Sequence, residues 1–188
     1  MEQEFLSDLV ARLEGTGVTY AITGSVASSL WGVPRTTHDV DVVVVLSEAE
    51  VGRMVAAFAD RYYVSEPAVR DAVTRASMFN VIDFGTGLKA DLWVTKGDPF
   101  NESMLSRRRR VEIVPGREAY VGSPEDVLLH KLVWNQITPS QRQLADAAGI
   151  VAVQEGKLDL AYMKAWAARQ STSDVLEEVL QGKHLKQT

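Results

Sequence analysis

The chain has 188 residues, 46% hydrophobic and 24% charged, which suits one sizeable globular domain or a core with a small appendage. It contains no cysteine, which excludes disulfides, thiolate metal sites and a cysteine nucleophile. A net charge of −5 argues against general, salt-driven binding of nucleic acid, although a local basic patch is compatible with it.

In chain order, apolar residues at helical spacing (Phe5, Leu6, Leu9, Val10, Leu13) predict a helix over 3–13, ended by Gly15-Thr16-Gly17. A strand is expected at 18–23, followed by a Gly24-Ser25 turn and a helix over 26–31. Gly32-Val33-Pro34 reads as a loop. A second strand covers 39–46. Ser47 then opens a helix over 48–58, with Glu50 as the N3 partner of a capping box. Residues 68–76 read as helical. Strands at 79–84 and 88–94 flank Gly85-Thr86-Gly87, a hairpin signal. A short helix is expected at 101–107, and short strands at 111–114 and 118–121 flank Pro115-Gly116.

From Ser123 the character changes. Ser123-Pro124-Glu125-Asp126 combines an N-cap, a proline at N1 and an acidic first turn, and a helix to about Asn135 follows. Further helical stretches fill 139–153, 159–170 and 173–182, and the tail 181–188 reads as loose. The expected architecture is an α/β core with a mixed sheet over 1–122 and a helical section over 123–188 packed on it. No apolar run approaches the roughly 20 residues that span a bilayer. The acidic start M-E-Q-E-F-L-S-D-L-V lacks a signal-peptide layout, so a cytoplasmic location without membrane contact is expected.

The richest chemistry lies between Gly24 and Asp41. Asp39 and Asp41 open a strand that is otherwise apolar on both faces, the pattern of a central, buried strand. Side chains alternate along a strand, so the two carboxylates point the same way, about 6.5–7 Å apart. Two like charges there repel each other, and partial desolvation adds to the cost. A hard divalent cation with oxygen ligands, Mg²⁺ above all, would offset both. Upstream, free N–H groups at a helix start after Gly24-Ser25 would attract phosphate. Metal-dependent phosphoryl transfer is the chemistry these residues suit.

Strand, Gly-Ser turn, helix and a double-Asp strand together resemble the polymerase-beta-like nucleotidyltransferase superfamily. The likeness is to its short stand-alone members, including the nucleotidyltransferase toxins of type IV toxin–antitoxin systems. Gly24-Ser25, the R-x-T of Arg35 and Thr37, and Asp39-Val40-Asp41 carry the resemblance, with Asp91 in K-A-D-L-W-V at the place of a third carboxylate. Lys131, Arg142 and Asp146 match a looser helical part of the pattern. The resemblance implies a nucleotidyltransferase-type mixed-sheet core. It implies two Mg²⁺ ions held by Asp39, Asp41 and Asp91, and an NTP substrate bound with help from Gly24, Ser25, Arg35 and Thr37. It also implies a catalytic role for the three aspartates and for Lys131. An RNA acceptor such as tRNA, and an antitoxin protein as partner, are the further expectations.

Several residues have competing readings. Asp83, also on an expected strand, is the rival of Asp91, and the family pattern favours Asp91. His38 reads as a strand-edge residue, because Mg²⁺ prefers oxygen. Lys131 sits beside the apolar stripe of its helix and is either a snorkelling lysine or a cation for the triphosphate. Arg107, Arg108, Arg109 and Arg110 form either a solvated turn or a phosphate clamp for a nucleic-acid acceptor. Trp93 and Trp134 read as core. The alternatives to RNA modification are nucleotidyl transfer to an aminoglycoside-like small molecule or a protein, or non-catalytic nucleotide binding.

Overall fold

The computed structural model of the chain describes residues 3–184, so 185–188 of the expected tail lie outside the described residues. In chain order the elements are α1 (Gln3–Thr16), β1 (Thr19–Thr23), α2 (Gly24–Trp31), β2 (Asp39–Val45), a 3₁₀ turn (Glu48–Glu50), α3 (Val51–Phe58), β3 (Tyr62–Tyr63), α4 (Glu66–Arg75), β4 (Met78–Asp83) and β5 (Lys89–Val94). There follow α5 (Pro99–Arg107), β6 (Arg109–Val114), β7 (Arg117–Val121), α6 (Pro124–Ile137), α7 (Gln141–Val153), α8 (Leu160–Arg169) and α9 (Ser173–Leu180). They fall into two compact units: 3–23 with 36–121, and 24–35 with 122–184.

The first unit is built on a seven-stranded mixed sheet in the order β3-β4-β5-β2-β1-β7-β6. β2 lies inside it, antiparallel to β1 and parallel to β5. Its residues Val40, Val42, Val43 and Val44 are all buried, which is why the strand is valine-rich on both faces. Strands β4 and β5 pair antiparallel as the expected hairpin, with Gly87 at a φ of 72° that glycine adopts without penalty. Helix α1 buries the apolar stripe Phe5, Leu6, Leu9, Val10 and Leu13.

Local details depart from the sequence reading. The expected helix over 48–58 begins as a 3₁₀ turn, where Glu50 Oε2 accepts the Ser47 amide N–H at 2.9 Å and the Ser47 hydroxyl at 2.7 Å. Strand β3 has two residues and pairs with Ile82 and Asp83, too short to leave an alternation in the sequence. Strand β6 starts at Arg109, so half of the arginine run is strand.

The second unit joins α2 to the four helices α6, α7, α8 and α9. The Ser123 hydroxyl caps α6 by accepting the Asp126 amide N–H. Gly32 lies so close to α7 that a Cβ there would meet the backbone N of Ile150 at 2.7 Å and the carbonyl carbon of Gly149 at 2.8 Å. The Trp31 indole N–H donates to Gly122 O at 2.8 Å, and Gln154 Nε2 donates to Trp31 O at 2.8 Å. Among the described residues, no helix is long and apolar enough to cross a membrane.

Candidate active site

In the first unit, β2 and β5 run parallel with Asp41 beside Asp91 and Asp39 beside Lys89. Registered neighbours on adjacent strands share a face, and alternation adds residues two apart. Asp39, Asp41, Lys89 and Asp91 therefore project from one side of the sheet. Asn80 on β4 is the register partner of Asp91 on its other flank and joins the same face.

The polar contacts follow from this registry. The Lys89 ammonium grips Asp91 through both oxygens, at 2.9 Å to Oδ1 and 2.7 Å to Oδ2, and lies 3.9 Å from Asp39 Oδ2. Asn80 Nδ2 donates to Asp91 Oδ1 at 2.5 Å. The Thr37 hydroxyl donates to Asp39 Oδ1 at 2.9 Å, and the Trp93 indole N–H reaches Asp41 Oδ1 at 3.5 Å. Trp93, partly buried, packs at the same time on Ala21, Val43, Met104 and Leu105, in keeping with its reading as core, whereas Trp134, read the same way, is exposed. The bond to Asp91, helped by the charges of Asp39 and Asp41, raises the Lys89 ammonium above its ordinary value. The Asp91 side chain is 11% exposed, whereas that of Asp39 is 43% exposed. The cluster is thus graded from a buried to an open end.

Asp83 has a different setting. It lies an odd number of residues from Asn80 on β4 and so on the opposite face. Its Oδ1 accepts the amide N–H groups of Gly85 and Thr86 at 2.8 and 3.3 Å, and its Oδ2 pairs with Arg61 at 3.0 Å. Burial pushes this carboxyl upward, but the Gly85 N–H and the Arg61 guanidinium outweigh it and leave Asp83 below the usual range. Asp83 therefore ties the β4–β5 turn. His38, an odd step from Asp39, is exposed.

In the second unit, Gly24 begins α2 with a φ of 61°, in the left-handed region that favours glycine. Ser25 follows, and its Oγ accepts from Arg35 Nη2 at 2.6 Å. Arg35 also grips Asp146 with two bonds of 2.8 Å, from Nε to Oδ1 and from Nη2 to Oδ2. The Lys131 ammonium, buried at 3% exposure, lies 2.8 Å from Asp146 Oδ2. Desolvation pushes the Asp146 carboxyl upward, but Arg35 and Lys131 prevail and hold it low. Ser25, Arg35, Lys131 and Asp146 are thereby brought together, while Arg142 is exposed on α7.

The arginine run is divided among different tasks. Arg110 bonds Glu118 at 3.0 Å and lies 3.4 Å from Glu14. Arg108 donates to Leu105 O and stacks over the Tyr120 ring at 4.6 Å. Lys89 and Asn80 were missed as site residues by sequence reading. Lys89 was within reach of it, since K-A-D puts a lysine two residues from Asp91 and so on its face.

The donor set suits a hard ion, being made of carboxylate oxygens with no sulfur or imidazole. Among the described residues, however, no three of His, Cys, Asp and Glu form a ready-made metal site.

No family model matches the sequence, and no curated protein does. Solved structures do match its fold. An antigenic nucleotidyltransferase-like protein from Paracoccidioides brasiliensis superimposes with a TM-score of 0.56 at 18% identity, over 98% of this chain and 93% of the other. The antibiotic-resistance factor ANT(2'')-Ia gives 0.61 at 12%, over 93% and 96%. The lincosamide antibiotic adenylyltransferase LnuA, lincomycin-bound, gives 0.57 at 13%, over 81% and 98%. The chain is thus similar to nucleotidyltransferases over nearly its whole length, and its mixed sheet with flanking helices is their fold.

Proposed function

We propose that this chain is a metal-dependent nucleotidyltransferase, which moves a nucleoside monophosphate from an NTP to an acceptor hydroxyl and releases pyrophosphate. The observation that carries the reading is the common face of Asp39, Asp41 and Asp91 on two adjacent parallel strands of a nucleotidyltransferase-like fold. Asp39 and Asp41 would hold Mg²⁺, and Thr37 orients Asp39 through its hydroxyl. When bound, the ion supplies charge neutralisation for the triphosphate and acidifies the acceptor hydroxyl.

The chain's own groups position and move protons. Asp91 receives the acceptor's proton as the acceptor oxygen bonds to the α-phosphorus and the bond from that phosphorus to pyrophosphate breaks. Gly24 and Ser25 offer N–H groups at the start of α2 to the triphosphate. Arg35, partly exposed and oriented by Asp146, would provide a cation for the nucleotide, while the buried Lys131 ammonium pairs with Asp146 and holds it in place.

For the acceptor, the engagement of Arg110 by Glu118 and of Arg108 by Tyr120 favours a small hydroxyl compound over a polynucleotide. ANT(2'')-Ia and LnuA, named for antibiotics, support the same choice. RNA as acceptor is the second reading, supported by the arginine run itself. The toxin role with an antitoxin partner, and a cytoplasmic location, rest on the sequence reading alone.

The test is to incubate the protein with each labelled NTP and Mg²⁺, in parallel with total RNA and with a panel of aminoglycosides and lincosamides. Label should pass to a small molecule in the wild type and to nothing in Asp41→Asn. Labelled RNA alone would replace the first acceptor by the second. Transfer by folded Asp41→Asn at the wild-type rate would remove the catalytic reading.

A further inference from the structure

The resemblance implies two divalent ions, yet one of the carboxylates that would hold them is already occupied by a cation of the chain. Lys89 Nζ sits 2.9 and 2.7 Å from the two oxygens of Asp91, the place a chelated ion would take, and 3.9 Å from Asp39 Oδ2. Registry puts it on that face: Lys89 is paired with Asp39 across the strands and is two residues from Asp91 on its own strand. Asn80 closes the other flank of Asp91 by donating to Oδ1 at 2.5 Å. An ion such as Mg²⁺ binds carboxylate oxygen at about 2.0–2.1 Å and demands near-octahedral surroundings, so it cannot share this position with the ammonium. Charge points the same way. Three carboxylates carry three negative charges, which one divalent ion and one ammonium match.

We propose that Lys89 replaces one of the two ions, so that the chain works with a single divalent ion at Asp39 and Asp41 and an internal ammonium at Asp91. This rests on the reading of the carboxylates as metal ligands. Lys89 is then a positioning residue. It holds Asp91 in place, with its negative charge balanced, before any metal arrives.

The test is a Mn²⁺ titration without nucleotide, following free Mn²⁺ by electron paramagnetic resonance. Lys89→Met removes the ammonium but keeps an unbranched stem. The Lys89 side chain is 41% exposed, so folding is not at stake, and circular dichroism checks it. Lys89→Met should bind one ion more per chain than the wild type, and Lys89→Arg should keep the wild-type number. Metal-free Lys89→Met should melt lower than the wild type and recover with Mn²⁺, because the carboxylates repel until the added ion binds. An equal number of ions in wild type and Lys89→Met, with nucleotide transfer intact in the wild type, would overturn the inference alone. Absence of both ion binding and transfer from the wild type would overturn it together with the reading beneath it.

Discussion

Asp83 and Asp91 are both aspartates on β-strands, and their surroundings set them apart. Asp91 meets two side-chain donors, Lys89 and Asn80, on the face that carries Asp39 and Asp41. Asp83 meets two backbone amides and Arg61 on the opposite face. Asp83→Ala should therefore cost about 1–3 kcal/mol, because two turn amides and Arg61 lose bonds to a charged, buried acceptor. Nucleotide transfer by the folded fraction should be unchanged. Urea unfolding read beside a transfer assay checks both, and lost transfer in a fully folded variant would contradict the structural role. The common face of Asp39 and Asp41 was legible because strand periodicity is two and the valine run marks a central strand. That Asp91 would stand beside them was expected only through the family resemblance, since its pairing with Asp41 depends on the register of two strands far apart in the chain. The grip of Lys89 on Asp91 was not legible, since it needs the lysine's rotamer as well as its face.

At the scale of elements, the strands with strong alternation or dense β-branching and the helices with an apolar stripe or a Ser-Pro start were readable. Boundaries slipped where a cap decides them. Helix α4 starts at Glu66 because the Ser65 hydroxyl accepts the Ala68 amide, and it ends where Ala76 turns left-handed at a φ of 49°. The grouping of α2 with the C-terminal helices could not be read, because it rests on contacts between distant parts of the chain, such as those 91 and 123 residues apart made by Trp31. Gly32 lets the chain after α2 approach the α7 backbone closely. A methyl there would overlap the backbone of Gly149 and Ile150, which cannot swing aside as a side chain can. Gly32→Ala should cost about 1–3 kcal/mol through overpacking, despite the entropy alanine removes from the unfolded chain. Chemical denaturation measures this, and unchanged or raised stability would show that α7 shifts freely.

Across the whole molecule the balance of charge is acidic, and cations are held in place by carboxylates: Arg35 and Lys131 by Asp146, Lys89 by Asp91, Arg110 by Glu118. Such a protein loses stability in acid, and Asp146 allows the sign to be worked out. Its folded carboxyl is held low by Arg35 and Lys131 against the upward push of burial. In the unfolded chain it returns to about 3.9. The stability it contributes is therefore fully present above that value and is lost as pH falls through the lower folded value. Asp146→Asn removes the charge at every pH, and it leaves Lys131 buried beside a neutral partner. The variant should be less stable than wild type by about 3–5 kcal/mol at pH 7. The gap should begin to close below about pH 4, where the unfolded wild-type chain takes up a proton at Asp146 while the folded carboxyl, held low, still resists it. Trp31, Trp134 and Trp166 all lie in the unit that contains Asp146 and report its unfolding by fluorescence. Denaturant midpoints at pH 7, 5, 4 and 3 would trace the gap. A difference that stays constant down to pH 3 would mean that Asp146 acts through shape and hydrogen bonding, with its charge contributing nothing.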